Sequence, residues 1–278
     1  VGIPVAIGIM YLGGIAFAIA VVVVTALALR EFYGLAGSKH ASPNVAIGIA
    51  WSAALQLVVA LYLGREFGEA LALIAIALIL LLGTLVTLTA ELFRARENAL
   101  LNTALTVFGV AYISASLSSL LFIRSISEPE LVGTWGDTGT TVLLVLFVSV
   151  WLCDSAAYFV GMSIGKHKLF PRVSPKKSWE GAIGGLIAAV LAFYFMSSLM
   201  LPALDPIHGI VCGLIVGVFG PIGDLVESLL KRDAVVKDSG GILPGHGGVF
   251  DRFDSMLFAA PLVLLYLYLD NIIRLFSF

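Results

Sequence analysis

Long apolar runs, separated by short polar stretches, extend along almost the whole chain. A helix that crosses a bilayer needs about 20 consecutive, mostly apolar residues, and most of these runs approach or exceed that length. They predict nine membrane segments, at 2–12, 14–34, 43–63, 69–92, 101–123, 138–162, 179–200, 208–231 and 254–275. We therefore expect an all-α, polytopic membrane protein whose polar residues are concentrated in the loops.

The first two segments leave an alternative open. We expect a hinge at Gly13-Gly14, but residues 1–28 would also read as one long helix, which gives eight segments. The sequence around Ala28 faintly resembles a signal-peptidase site. No basic residue precedes the apolar run, however, and the run continues into Arg30 without a break. These two features disfavour a cleaved signal peptide.

Composition supports the membrane assignment. The 278 residues are 60% hydrophobic and only 12% charged, with a mean hydropathy of +1.05, whereas soluble domains are about 45–50% apolar and about 25% charged. Cys153 and Cys212 both lie in apolar runs, which is typical of buried cysteines and not of a disulfide framework. The sequence contains no zinc-type Cys/His cluster and no nucleic-acid-binding module, so no nucleic-acid partner is expected.

The distribution of basic residues predicts the orientation, because cytoplasmic loops are enriched in lysine and arginine. With the N-terminus inside, 13 of the 16 basic residues fall in inside loops. They are Arg30, Lys39, Arg94, Arg96, Lys166, Lys168, Arg172, Lys176, Lys177, Lys231, Arg232, Lys237 and Arg252. This predicts a protein of the cytoplasmic (inner) membrane with its polar loops, 163–178 and 232–253, on the cytoplasmic side and its C-terminus outside. The eight-segment alternative changes only the side of the N-terminus.

Charged residues within a membrane segment are costly and indicate a functional site. Asp224, Glu227, Ser228 and Lys231 have helical i, i+3, i+4, i+7 spacing and share one helix face. Gly220-Pro221, just before them, frees backbone groups and favours a kink. The alternative is a helix end whose side chains reach the interface and pair with one another.

The segment from Lys237 to Asp254 is rich in glycine, acids and bases. Its glycines let backbone amides approach an anion closely. Asp251 and Asp254 are three residues apart at the start of the last helix, so their side chains point the same way. Carboxylates beside basic residues indicate Mg²⁺ with phosphate, although a solvated loop with two capping aspartates would give a similar pattern.

A third group of polar residues lies between 151 and 181. Asp154 falls about two turns inside a membrane helix, and Gly161 and Gly165 have a spacing that allows close helix packing. Lys176 and Lys177 directly precede a predicted helix start, which is a plausible phosphate site. Asp154 could instead be a paired structural carboxylate, and the lysines a topology signal or a lipid headgroup contact.

Together these groups suit two phosphate-bearing substrates held by a metal. The motifs resemble the CDP-diacylglycerol synthase (phosphatidate cytidylyltransferase) family. The resemblance is carried in order by Ser228, Lys231-Arg232, Lys237-Asp238, Pro244-Gly245-His246-Gly247-Gly248 and Asp251-Arg252-Phe253-Asp254. A second family pattern matches Asp154 to Gly161 and Ser174 to Gly181. The resemblance covers about residues 150–255, while the N-terminal part agrees only in hydrophobic character and short pieces such as Glu31-Phe32-Tyr33.

The resemblance implies a nucleotidyltransferase that converts CTP and phosphatidic acid to CDP-diacylglycerol and pyrophosphate, with Mg²⁺ and as a homodimer; a second cation is left open. The residues it implies as catalytic are Asp224, Asp251, Lys237 and Asp238. Those implied to bind substrate are Lys176, Lys177, Lys231, Arg232, His246, Arg252 and Ser228. Those implied as metal ligands are Asp224, Asp251, Asp254 and Asp154.

We expect residues 1–135 to form a transmembrane scaffold, with lipid-facing and dimer surfaces, and 136–278 to form the catalytic region. Three rival classes remain: a CTP-dependent lipid kinase, a transporter for an anionic solute, and a non-catalytic scaffold. The kinase would release CDP and no pyrophosphate.

Overall fold

The computed structural model describes residues 2–127, 136–240 and 247–276. Its helices are α1 Gly2–Leu12, α2 Gly14–Leu35, α3 Val45–Leu63, α4 Glu69–Arg94, α5 Ala99–Gly109, α6 Ala115–Arg124, α7 Thr138–Ile164, α8 Trp179–Met200, α9 Pro206–Asp233 and α10 Phe250–Phe276. A 3₁₀ turn, Ala36–Lys39, follows α2, and a π turn, Val110–Ser114, joins α5 to α6. Each of the nine predicted segments corresponds to a helix or, for 101–123, to the stretch from α5 to α6.

Eight helical stretches within the described residues are long and apolar enough to cross a membrane. They are Gly14–Lys39, Val45–Leu63, Glu69–Arg94, Ala99–Arg124, Thr138–Ile164, Trp179–Met200, Pro206–Asp233 and Phe250–Leu269. Helix α1 has 11 residues, and at about 1.5 Å per residue it is too short to cross a bilayer. The polytopic all-α prediction is confirmed, with eight candidate spans in the described residues where nine membrane segments were predicted, because segment 2–12 forms a helix too short to cross.

The hinge predicted at Gly13-Gly14 is present. Gly13 has φ 58° and ψ −158°, and Gly14 has φ 49°. Glycine populates this left-handed region at little cost because it lacks a Cβ atom. Residues 2–35 therefore form two helices, and the alternative of one long helix is wrong.

The predicted polar loop 163–178 contains a short antiparallel strand pair. Strand β1, Lys168–Phe170, pairs with β2, Ser174–Ser178, with Lys168 opposite Ser178 and a register irregularity between Lys168 and Phe170. Helix α8 begins directly after β2, and the Ser178 hydroxyl caps it by accepting a hydrogen bond from the Gly181 amide at 3.1 Å. The hairpin therefore fixes the approach of the chain to α8.

The chain divides into two compact units. The first unit is Val1–Tyr11, Phe122–Ser228 and Asp254–Phe278, and the second is Leu12–Leu121 and Leu229–Phe253. In the first unit α8 packs closely on α7, because Gly185 lies against the backbone oxygen of Cys153. In the second, Gly83 lies against the ring of Trp51. The functional division predicted at residues 135 and 136 stays a prediction.

Candidate metal and phosphate site

Three carboxylates of the first unit form an acidic cluster, consisting of Asp224, Glu227 and Asp254. Each offers one oxygen, and these oxygens all lie within 4.8 Å of one another. Glu227 is fully buried, and the two aspartates are partly exposed. Such a group of hard oxygen donors fits a small divalent cation.

The backbones of α9 and α10 approach closely beside this cluster. A Cβ atom at Gly223 would collide with the backbone oxygen of Asp254 and lie 3.1 Å from the ring of Phe258. Because residue 223 is glycine, Asp254 can come close to Asp224, the residue that directly follows Gly223. One turn earlier, the position of Gly220 is open, since its nearest contact would be Ser255 Cβ at 3.7 Å.

We expect Gly223→Ala to destabilise the protein and to weaken cation binding at the acidic cluster. Overpacking of this kind costs about 1–3 kcal/mol, whereas alanine in an open helix position gains about 0.5–1 kcal/mol over glycine. Gly220→Ala is the matched control and should leave the thermal midpoint in detergent unchanged or raise it. Equal midpoints for the two variants would show that the close approach at Gly223 does not constrain the cluster.

A lysine from the hairpin pairs with the acidic cluster. Lys177, on β2, places its Nζ 2.6 Å from Asp224 Oδ2. The Ser228 hydroxyl donates to the other oxygen, Asp224 Oδ1, at 3.3 Å. Asp154, on α7, is close enough to Asp224 to be repelled by its charge and close enough to Lys177 to be attracted by it. The first unit thus brings together Asp154, Lys177, Asp224 and Ser228, four residues that the sequence analysis assigned to the site.

The neighbouring Lys176 differs from Lys177 in its surroundings. Lys176 is exposed, while Lys177 is half-buried. Because successive residues of a strand point to opposite faces, only one of the two lysines of β2 faces Asp224. The predicted pair of phosphate ligands therefore consists of one lysine held by a carboxylate and one exposed to solvent.

The second unit contains a group of polar residues around Asp251. Lys231 Nζ lies 2.5 Å from Asp251 Oδ1, and both side chains are largely buried. Asp251 Oδ2 accepts hydrogen bonds from the amides of Gly248, at 2.8 Å, and Ser239, at 3.2 Å, and from the Ser239 hydroxyl, at 3.0 Å. Asp251 therefore contacts Ser239 and Gly248, on either side of residues 241–246, as well as Lys231.

The remaining predicted residues of the second unit are more exposed. Arg232, Lys237, Asp238 and Arg252 are all exposed, and Arg232 donates to the Val236 carbonyl at 3.1 Å. Such positions suit ligands that approach from solvent. His246, with the preceding Pro244-Gly245, lies outside the described residues.

Glu227 is the member of the acidic cluster that the sequence analysis did not assign as a ligand. A signal was present, because Glu227 lies three residues after Asp224 on the same helix face. The family resemblance implied Asp251, which belongs to the second unit, as a metal ligand, but not Glu227. The role of Asp251 as a metal ligand stays a prediction.

The sequence model of the cytidylyltransferase family matches residues 1–270. The chain belongs to the cytidylyltransferase family. The match covers the residues of both groups described above, and it confirms the resemblance drawn from the motifs.

This cytidylyltransferase family member also matches individual curated proteins. The phosphatidate cytidylyltransferase of Bacillus subtilis is 53% identical over 124 residues, or 44% of this chain and 46% of that protein. The phosphatidate cytidylyltransferase of Haemophilus influenzae is 50% identical over 127 residues, 44% of each chain. That of Staphylococcus aureus strain COL is 41% identical over 167 residues, 59% of this chain and 58% of the relative. The chain thus spans about half the length of the curated relatives it matches.

Proposed function

We propose that this cytidylyltransferase family member transfers CMP from CTP to phosphatidic acid, giving CDP-diacylglycerol and pyrophosphate. The observation that carries the proposal is the acidic cluster with Lys177 beside it, since metal-bridged phosphates require carboxylates and bases together. Relatives named for the same reaction support it. Because their matched stretches are partial, the activity is a proposal for this chain.

The chemistry needs little covalent assistance from the protein. An oxygen of the lipid phosphate attacks the α-phosphorus of CTP, and the bond from that phosphorus to the oxygen bridging to the β-phosphate breaks, so pyrophosphate leaves. The second pKa of a phosphate monoester is about 6, so the nucleophile is largely dianionic at neutral pH without a general base. The task of the site is to bring two anions together and to stabilise the leaving group.

The acidic cluster fits the Mg²⁺ that the family resemblance implies. Asp224, Glu227 and Asp254 would hold the cation through carboxylate oxygens, the ligands that Mg²⁺ prefers. Asp154 and Asp251 remain proposed ligands from the sequence. Bound Mg²⁺ supplies positive charge that offsets the negative charge of the triphosphate.

Basic residues complete the proposed roles. Lys177 orients the Asp224 carboxylate through its ion pair and offers an ammonium group to a phosphate. In the second unit, Lys231 does the same beside Asp251. We assign Lys176, Arg232, Lys237 and Arg252 to phosphate binding from solvent, His246 to hydrogen bonding, and Asp238 to the catalytic set.

We expect Lys176→Ala to raise the KM for CTP by about tenfold with a smaller change in kcat, because an exposed lysine that binds ground state and transition state alike contributes uniform binding. Lys168→Ala, on the partner strand, is the control and should leave both constants unchanged. Steady-state kinetics at saturating lipid measure the effect. A defect confined to kcat would mean that Lys176 contacts the leaving group.

We further propose that the site faces the cytoplasm and that the C-terminus lies outside. The reason is that 13 of the 16 basic residues fall in the loops on the site's side of the membrane, and cytoplasmic loops are enriched in such residues. Cysteine labelling from each side of the membrane tests this orientation, with single cysteines at Lys166 and Asp205. We also propose a homodimer, on the basis of the family resemblance. Its mass in detergent, measured by light scattering, would be twice 29.4 kDa.

The activity is tested directly with purified protein in mild detergent. Supplied with CTP, Mg²⁺ and phosphatidic acid, it should release pyrophosphate only when the lipid is present, and the lipid should gain the mass of CMP. With a lipid alcohol added in place of phosphatidic acid, the appearance of CDP together with the phosphorylated alcohol would make the protein a kinase. Uptake of an anionic solute into vesicles without nucleotide chemistry would make it a transporter.

A further inference from the structure

Glu31 is a buried acid inside the first long membrane span, and the proposed mechanism does not use it. It lies on α2 and is only 5% exposed. Its Oε2 accepts a hydrogen bond from the Phe250 amide at 2.7 Å and another from the Ser239 hydroxyl at 3.3 Å. An acid kept in such a costly position indicates a role in function.

Glu31 supplies a cap that the sequence at the start of α10 lacks. The first amides of a helix have no partner within the helix, and a side-chain oxygen just before the helix usually accepts from them. Here the preceding residue is Val249, whose side chain is hydrocarbon. Glu31 accepts from Phe250 instead, and its neighbour Phe32 packs edge-on against the Phe250 ring, with centroids 5.9 Å apart.

Gly240 and Gly248 leave room for this carboxylate because neither has a Cβ atom. A Cβ atom at Gly240 would lie 2.5 Å from Glu31 Oε1, and one at Gly248 would collide with Glu31 Oε2. Two glycines, on either side of residues 241–246, therefore pack directly on Glu31. The carboxylate thus contacts the chain on both sides of residues 241–246, because the Ser239 hydroxyl, which it shares with Asp251, lies 3.3 Å away and the Phe250 amide donates to it.

The same contacts connect Glu31 to Asp251. The Ser239 hydroxyl lies between the two carboxylates, 3.3 Å from Glu31 Oε2 and 3.0 Å from Asp251 Oδ2. Phe250, which donates to Glu31, directly precedes Asp251 in the first turn of α10. Movement of Ser239 or Phe250 would therefore displace the donors that hold Asp251.

We propose that Glu31 is a positioning residue for nucleotidyl transfer: it holds both ends of the segment from Ser239 to Phe250 and thereby fixes the Asp251 carboxylate and its partner Lys231. The proposal rests on the proposed function, because it assigns Glu31 a purpose in that reaction. It makes the N-terminal part of the chain, expected to be a scaffold, a direct contributor to the geometry of the catalytic segment.

The test compares Glu31→Ala and Glu31→Gln by hydrogen exchange and by kinetics. In Glu31→Ala the amides of peptides covering residues 247–253 should exchange roughly 5–30-fold faster, the effect of losing a helix cap. Its kcat for pyrophosphate release should fall by about tenfold or more, with the KM for CTP within about twofold of wild type. Glu31→Gln keeps one acceptor oxygen for the Phe250 amide and should recover most of both losses.

Thr25→Val is the matched structural control. Thr25 is buried on the same helix, donates to Val21 O at 2.7 Å and accepts from Gln56 at 2.8 Å, without touching the glycine-rich segment. It should lower the thermal midpoint but change neither exchange in 247–253 nor kcat. Unchanged exchange in Glu31→Ala, or faster exchange with wild-type kcat, would overturn the proposal. If the wild type released no pyrophosphate, the proposed function would fail, while exchange would still show whether Glu31 holds the segment.

Discussion

Asp224→Asn is expected to abolish lipid-dependent pyrophosphate release, by a factor of at least about a hundred, since loss of even an indirect metal partner costs about 10–100-fold. The substitution removes one negative charge from the acidic cluster and ends the ion pair with Lys177. An amide is a weak ligand for a hard cation. Activity and the binding of Mn²⁺, followed by its paramagnetic resonance signal, both measure the effect.

Asp233→Asn is the control for Asp224→Asn, because it makes the same change on the same helix. Asp233 pairs with Lys39 at 2.8 Å, and both side chains are well exposed, so the pair contributes at most about 1 kcal/mol. This variant should retain wild-type turnover and Mn²⁺ binding. Full activity in Asp224→Asn would remove the acidic cluster from the chemistry.

Asp251→Asn is the second substitution with a large expected effect, and it should lower both stability and turnover. The carboxylate accepts from the Gly248 amide and the Ser239 hydroxyl on one oxygen and pairs with Lys231 on the other. The single oxygen of asparagine can either accept from Gly248 and Ser239 or face Lys231, but not both. If it keeps the amides, its NH₂ group faces the buried Lys231 ammonium, and breaking a buried ion pair in this way costs about 3–5 kcal/mol.

The double variant Asp251→Asn/Lys231→Met separates stability from chemistry. It removes both charges, so no unpaired ammonium remains, and the thermal midpoint should recover much of the loss. Turnover should not recover, because both residues are proposed to act on the substrates. A double variant that regained both stability and activity would show that the pair is only structural.

The membrane helices were predictable because bilayer thickness sets their length and composition. The predicted 179–200 and the observed Trp179–Met200 agree, and Gly13-Gly14 marked the hinge. The π turn Val110–Ser114 was not predictable, since nothing in its apolar sequence distinguishes it from α-helix. The hairpin of Lys168–Phe170 and Ser174–Ser178 was also missed, because three- and five-residue strands carry too short a pattern.

Sequence analysis named most residues of the acidic cluster but not how the structure groups them. Motif spacing identified Asp224, Asp254 and Lys177, which the first unit gathers. Periodicity could show that Glu227 shares the face of Asp224, but not that tertiary packing buries it completely. The contact of Glu31 with Phe250, 219 residues away, depends on packing that no local pattern contains.

The fate of each phosphate of CTP tests the central claim most directly. Purified protein with phosphatidic acid and Mg²⁺ is supplied in parallel with CTP labelled at the α-phosphate or at the γ-phosphate. If the protein transfers CMP, α-label should enter the chloroform-soluble lipid, and γ-label should be released only as pyrophosphate. With a lipid alcohol added in place of phosphatidic acid, lipid labelled from the γ-position would mean a kinase. No lipid label from either position with phosphatidic acid, in folded protein, would contradict nucleotidyl transfer by this chain.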